Sequence, residues 1–136
     1  MVPGLSLNLN VLVVDDNKIN RLLLSKLLTR WGVLADYVEN GLQAINKVET
    51  NPNYDVILMD IHMPDMGGIE ATRIIRSKPE PYFQQLPIIA LTASMMDHER
   101  SKIHEAGMDY ILKPFESQKL FEKLASHQKS SEISVN

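Results

Sequence analysis

Tyr54-Asp55-Val56-Ile57-Leu58-Met59-Asp60 decides the fold: an apolar run that stops abruptly on a carboxylate. Its apolar residues are continuous rather than alternating with polar ones, which predicts a strand covered on both faces, as in a parallel sheet between helices. Similar runs recur on either side. Leu9 to Val14 is a β-branched strand ending at Asp15-Asp16, and Val33 to Val38 is a second strand. Leu86 to Leu91 is a fourth, followed by Thr92, and Met108 to Leu112 a fifth, followed by Lys113-Pro114. Between the strands the period changes. Ile19, Leu23, Leu24, Leu27, Leu28 and Trp31 form one broad helical arc from about Lys18 to Trp31, with Gly32 as its stop. Asn40-Gly41 opens a second helix through Leu42, Ile45 and Val48, with Pro52 beyond its end. A Pro64/Gly67/Gly68 loop precedes a helix through Ile69, Ile74 and Ile75. Ser77 to Gln85, with Pro79 and Pro81, reads as loop. Asp97 to Ala106, stopped by Gly107, and Phe115 to about Ala125 complete the helices.

This is a (βα)5 alternation, and right-handed crossovers make an open, doubly wound α/β parallel sheet the expected architecture. The 136 residues suit one domain. The expected domain runs from 9 to 125. Residues 1–8 are an N-terminal tail or cloning remnant, and 126–136 a tail or linker. The formal net charge is −3, from 14 basic and 17 acidic residues, which argues against a domain that grips nucleic acid. Absence of cysteine excludes disulfides, thiolate metal sites and cysteine nucleophiles. No apolar run approaches the roughly 18 residues of a membrane span, so this domain is expected to make no membrane contact.

In doubly wound sheets, ligands bind at the carboxyl ends of the strands. Asp15-Asp16, Asp60, Thr92 and Lys113 all fall there. Three converging carboxylates repel one another unless a cation intervenes, and oxygen-only ligands suit a hard ion such as Mg²⁺. Lys113 adds a fixed positive charge and Thr92 a hydroxyl donor, a set that fits phosphoryl transfer onto a carboxylate. Taken singly, each feature has an ordinary explanation. An Asp at a strand end is commonly a turn or helix cap, and Asp16 or Asn17 suits the N-cap of the first helix. Their joint placement is what carries the argument.

The chain resembles the receiver domains of two-component response regulators, through Val13-Val14-Asp15-Asp16-Asn17, Met59-Asp60-Ile61-His62-Met63-Pro64-Asp65-Met66-Gly67-Gly68, Ala90-Leu91-Thr92-Ala93 and Tyr110-Ile111-Leu112-Lys113-Pro114. The resemblance implies the flavodoxin-like strand order 2-1-3-4-5 and phosphorylation of Asp60 by a phosphohistidine partner, either a histidine kinase or a histidine phosphotransfer domain. It implies Mg²⁺ (or Mn²⁺) held by Asp16, Asp60 and the main-chain carbonyl of His62, with Asp15 acting through water. Thr92 and Lys113 would bind phosphoryl oxygens, Tyr110 would be the aromatic that turns inward when Thr92 moves, and the Lys113-Pro114 bond would be cis. Gly67 departs from the pattern, which has an acidic residue there, and a looser start to the third helix is expected.

Other positions tune rather than define. The resemblance places His62 and Ser94 where side chains modulate attack of water on the acyl phosphate. Substituting His62 is therefore expected to change phosphate lifetime more than acceptor competence, although a merely exposed side chain is the plainer alternative. His98, His104 and His127 show no metal-ligand spacing. Asn17-Lys18-Ile19-Asn20-Arg21 is similar to the run in receivers attached to hybrid histidine kinases, and Leu22, Leu24 or Leu28 is expected to contribute to a phosphotransfer interface. For Leu22, on the far side of the helix between Lys26 and Thr29, a single exposed leucine is the plainer reading. With no room for an effector domain after the last helix, the expectation is a receiver fragment of a hybrid kinase or, alternatively, a stand-alone regulator. Its expected location is the cytoplasm, with a membrane-anchored parent as an option. A Mg²⁺-dependent phosphohydrolase with an aspartyl phosphate is the enzymatic rival, but it would want an acid where His62 stands. A flavodoxin-like FMN binder would need a hydroxyl- and glycine-rich loop in place of Asp15-Asp16. A degenerate receiver is disfavoured by the presence of Asp15, Asp16, Asp60, Thr92 and Lys113 together.

Overall fold

The computed structural model describes residues 6–93 and 96–128. Its five strands are β1 (Asn10–Val14), β2 (Leu34–Val38), β3 (Val56–Asp60), β4 (Ile88–Thr92) and β5 (Asp109–Leu112), all parallel and in the order β2-β1-β3-β4-β5. Successive side chains point to opposite faces, so the continuous apolar runs feed two cores. Leu12, Val14, Ile57, Met59, Ile88 and Ala90 pack on one face, and Val11, Val13, Val56, Leu58, Ile89 and Leu91 on the other.

The strand order reverses at β1, and this distributes the helices. α1 (Lys18–Arg30) and the last helix, α6 (Ser117–Ala125), supply Leu24, Leu28, Leu120 and Leu124 to the second face. α2 (Gly41–Thr50), α3 (Gly68–Arg76) and α5 (Asp97–Glu105) cover the first with Ala44, Val48, Ala71, Ile75 and Ile103. Trp31 meets Phe121 edge-on at 5.1 Å between ring centroids, joining the end of α1 to α6.

Three expectations need correction. Residues 77–85 are not all loop, because Pro81–Gln85 forms a short helix, α4, with Pro81 in its first turn and Phe83 buried beneath it. The proline that argues for a loop is favourable at the first helical position, where its missing N–H costs no bond. Second, the apolar arc of α1 is only partly buried. Leu24, Leu28 and Trp31 are buried, whereas Ile19 and Leu23 are 67% and 56% exposed; Leu22, which lies outside the arc, is 54% exposed. Six apolar residues span more of the helix than a single sheet face can cover. Third, Leu24 and Leu28 belong to the core and cannot meet a partner; Leu22 is accessible to one.

Packing also runs wider than 9–125. Leu7 is buried and its N–H bonds the Trp31 carbonyl at 2.7 Å, while Asn8 N–H donates to the Gln128 side-chain oxygen at 2.8 Å.

One glycine at the sheet edge is there for space. A Cβ on Gly68 would lie 2.3 Å from the Asp60 carbonyl oxygen and 3.0 Å from Met59 Cγ. Gly68→Ala should therefore destabilise the chain by at least about 2 kcal/mol in urea melting, because backbone must move to admit the methyl. An unchanged midpoint would show that α3 shifts freely against β3.

Candidate functional site: a carboxylate cluster at the strand ends

β1 and β3 are neighbours and finish level, with Val14 opposite Met59. The acids that follow are thereby forced together: Asp15, Asp16 and Asp60 each offer a carboxylate oxygen within 4.8 Å of the others. Asp15 is fully buried, Asp16 is exposed and Asp60 is half-buried. Asp15 Oδ1 accepts the Asn17 N–H at 2.8 Å, which shapes the turn into α1, and Asn17 itself caps that helix by accepting from Asn20 N–H at 3.0 Å. Asp15 Oδ2 is buried with no hydrogen bond. A buried carboxylate oxygen in that state is rare and calls for a cation.

Lys113 is the charge in place. Its Nζ lies 3.7 Å from Asp15 Oδ2 and 3.9 Å from Asp60 Oδ1, near both but beyond hydrogen-bonding distance. Its backbone N–H is tied to the Thr92 carbonyl at 2.7 Å, so β4 and β5 present Thr92 and Lys113 side by side. The Lys113-Pro114 peptide is cis. Asp60 Oδ1 is the acceptor of a long 3.4 Å contact from His62 N–H. Burial pushes the Asp60 carboxyl above its ordinary range. Lys113 and the His62 N–H pull it down, while Asp15 and Asp16 push it further up.

Formally, three carboxylates and one ammonium leave two negative charges, which a divalent cation would balance. The donor set is all oxygen, as Mg²⁺ requires. The residues therefore fit the ion named from sequence.

The other expected residues are close by. Thr92 is buried at the end of β4. Tyr110 is half-buried on β5, with the Arg100 guanidinium 5.9 Å from its ring centroid. Ser94 lies outside the described residues. Gly67 is the N-cap of α3 and gives it no side-chain cap bond, and a Cβ there would fall 2.8 Å from the Ile61 carbonyl oxygen.

Two contacts escaped sequence reasoning. His62 Nε2 meets Glu99 of α5 at 3.0 Å, and Arg21 of α1 reaches back to the Asp15 carbonyl at 2.7 Å. Glu99 carries no sequence signal for this, since its partner is distant in the chain. Arg21 does carry one: it lies within the second turn of a helix that starts immediately after the acidic pair.

The model of the response regulator receiver domain matches residues 11–125. The chain belongs to that family. Among curated proteins, this receiver is 40% identical over 129 residues to the signal transduction histidine-protein kinase BarA of Escherichia coli K12, covering 94% of the chain. It is 41% identical over 112 residues to the sensor histidine kinase GacS of Pseudomonas protegens, covering 81%. The receiver spans 14% and 12% of the lengths of those two proteins. Among solved structures, the receiver domain of sensor histidine kinase PA1611 from Pseudomonas aeruginosa, with magnesium in its active-site cleft, matches with a TM-score of 0.78 and 36% identity. It covers 86% of this chain and 94% of that one. The Saccharomyces cerevisiae complex of the histidine phosphotransfer protein Ypd1 with the Ssk1 receiver domain matches with a TM-score of 0.80 and 28% identity, covering 93% and 92%. No helix among the described residues is long and apolar enough to cross a membrane.

The raised Asp60 carboxyl makes a stability prediction. Between the ordinary value of 3.8 and the higher native one, the folded chain binds more protons than the unfolded chain, so stability falls as pH rises through that interval. Without divalent metal at pH 7, Asp60→Asn should melt a few degrees higher than the native chain, roughly 1 kcal/mol. That gap should narrow as pH falls toward 4, and Mg²⁺ at pH 7 should raise the native melting temperature more than the variant's. A variant that melts lower in chelator would contradict the crowding of charge.

Proposed function

We propose that this receiver takes a phosphoryl group from a phosphohistidine donor onto Asp60. The observation that carries the proposal is the buried, unbonded Asp15 Oδ2 within a cluster that also contains Asp16, Asp60 and Lys113. An Asp60 carboxylate oxygen attacks phosphorus, a P–O bond forms as the P–N bond to the donor imidazole breaks, and the imidazole retains the bonding pair. Asp15, Asp16, Asp60 and the His62 main-chain carbonyl would hold Mg²⁺, or Mn²⁺ with the same oxygen ligands. A bound divalent ion neutralises charge on the transferring group. Lys113 pairs with a phosphoryl oxygen, and the Thr92 hydroxyl donates to another. Tyr110, opposite Ala90 and so two register positions before Thr92 on the neighbouring strand, is the side chain that registers the movement of Thr92 toward phosphate. His62, on the exposed rim, modulates the approach of water.

The donor's docking face follows from the correction to α1. At about 100° per residue, Leu22, Ile19 and Leu23 are neighbours on the helix surface, with Lys26 and Arg30 interspersed. α1 contains no acidic residue. Beside it runs a groove of about 650 Å³ toward Lys113, lined by Leu23, Leu27, Pro114 and Phe115. An apolar centre with a basic rim, opening on the reactive lysine, suits a helical histidine phosphotransfer domain with acidic flanks. The similarity to kinase receivers supports reading this domain as part of a hybrid histidine kinase that acts in the cytoplasm.

Intact mass after incubation with acetyl phosphate tests the acceptor. One Mg²⁺-dependent phosphoryl adduct is expected on the native chain and none on Asp60→Asn. An adduct that persists in the variant would move the acceptor elsewhere, and failure with both acetyl phosphate and a panel of phosphohistidine donors would remove the function. A combined Ile19, Leu22 and Leu23→Ala variant should slow transfer from a phosphohistidine donor about 10-fold or more while acetyl phosphate labelling is kept. Equal slowing of both reactions would contradict a docking role.

A further inference from the structure

Arg21 is bound to the site without touching a carboxylate oxygen. Its Nη1 donates to the main-chain carbonyl of Asp15 at 2.7 Å, and its Nη2 lies 3.8 Å from Glu39 Oε2, next to the end of β2. The side chain is 19% exposed. On its other side, Asp15 N–H bonds the Val38 carbonyl at 3.1 Å. The Asp15 backbone is therefore held from both directions, by β2 and by α1.

The geometry of the peptide unit gives this contact its reach. The Asp15 carbonyl and the Asp16 N–H belong to one planar group. Fixing that carbonyl fixes the link between the two acids, and with it the directions in which both carboxylates leave the backbone. With Asp15 Oδ1 already committed to the Asn17 N–H, the Arg21 bond leaves Oδ2 as the one fully buried, unbonded carboxylate oxygen of Asp15. Arg21 also brings a permanent positive charge to an acid-rich edge. Had the guanidinium bonded a carboxylate, it would compete with a cation for that oxygen. Bonded to the main chain, it offsets charge and leaves the oxygens available. The Glu39 contact is too long and too exposed on the acid's side to be its main purpose.

We infer that Arg21 is a positioning residue for the divalent-metal site, holding the Asp15–Asp16 peptide from outside the ligand sphere. The inference rests on the metal site proposed above. Its test is Mg²⁺ titration by calorimetry on the native chain, Arg21→Ala, Arg21→Gln, Arg21→Lys and Glu39→Gln. Loss of a bond from outside the ligand sphere is expected to weaken Mg²⁺ by about 10- to 100-fold in Arg21→Ala. Arg21→Lys, which keeps charge and a donor, should recover part of the loss, and Glu39→Gln should stay within about 2-fold of native. Acetyl phosphate labelling of Arg21→Ala should return to the native rate at saturating Mg²⁺, separating positioning of the metal from action on the phosphoryl group. If Arg21→Ala does not fold, the comparison of Arg21→Lys with Arg21→Gln decides: Lys is expected to bind the tighter. Native Mg²⁺ affinity in folded Arg21→Ala or in Arg21→Gln would overturn the inference and leave the metal site standing. Absence of Mg²⁺ binding by the native chain would remove the metal site and the inference together.

Discussion

Electrostatic repulsion among three carboxylates is the constraint on which the rest of the structure depends. Oxygens of Asp15, Asp16 and Asp60 lie within 4.8 Å of one another, close enough for like charges to repel, most strongly at the buried Asp15 and half-buried Asp60. Nothing in the local chain favours such an arrangement. It is imposed by the parallel pairing of β1 with β3, whose buried apolar residues fix the register and so bring the following acids level. Core packing holds together charges that would otherwise separate, a cost that a bound cation would relieve. This is how a sheet edge becomes a place suited to a divalent cation.

The surroundings are arranged around that cost. Gly68 has no Cβ because the Asp60 carbonyl occupies its place, which lets α3 begin directly beneath the acidic edge. Lys113 is presented by β5 close to two of the acids and hydrogen-bonded to neither. Arg21 acts on the main chain of Asp15 rather than on its side chain. Both cations moderate the repulsion while leaving carboxylate oxygens unoccupied. The His62–Glu99 pair spans the mouth of the site from the β3–α3 loop to α5, so the helix after Thr92 is tied to the loop after Asp60.

The legible part of the sequence was the part with strong local chemistry. Runs such as Val56-Ile57-Leu58-Met59 can be little other than buried strands, and each polar residue at a strand end stood next to such a run. The strand order came from the resemblance to receivers, because apolar runs do not state which strand neighbours which. α4 is not legible because Pro79 and Pro81 suggest a loop, whereas Pro81 opens the helix. The split of the α1 arc into a buried stripe with Leu24 and Leu28 and an exposed edge with Ile19 and Leu23 is hidden, whereas Leu22 stands outside the arc in the sequence itself. Periodicity locates an apolar arc but not the width of the surface that covers it. The Glu99–His62 contact was invisible for a different reason: it joins residues whose proximity exists only after folding.

The most direct test of the central claim is where a divalent ion sits. Crystals soaked in Mn²⁺ and measured for anomalous scattering would locate it without assumptions about catalysis. A single peak enclosed by Asp15, Asp16, Asp60 and the His62 carbonyl is the result predicted by a strand edge that concentrates negative charge. A fully occupied peak elsewhere, or none at millimolar Mn²⁺ in a well-ordered crystal, would mean that Lys113 and Arg21 already satisfy the cluster and that the carboxylates are not a cation site.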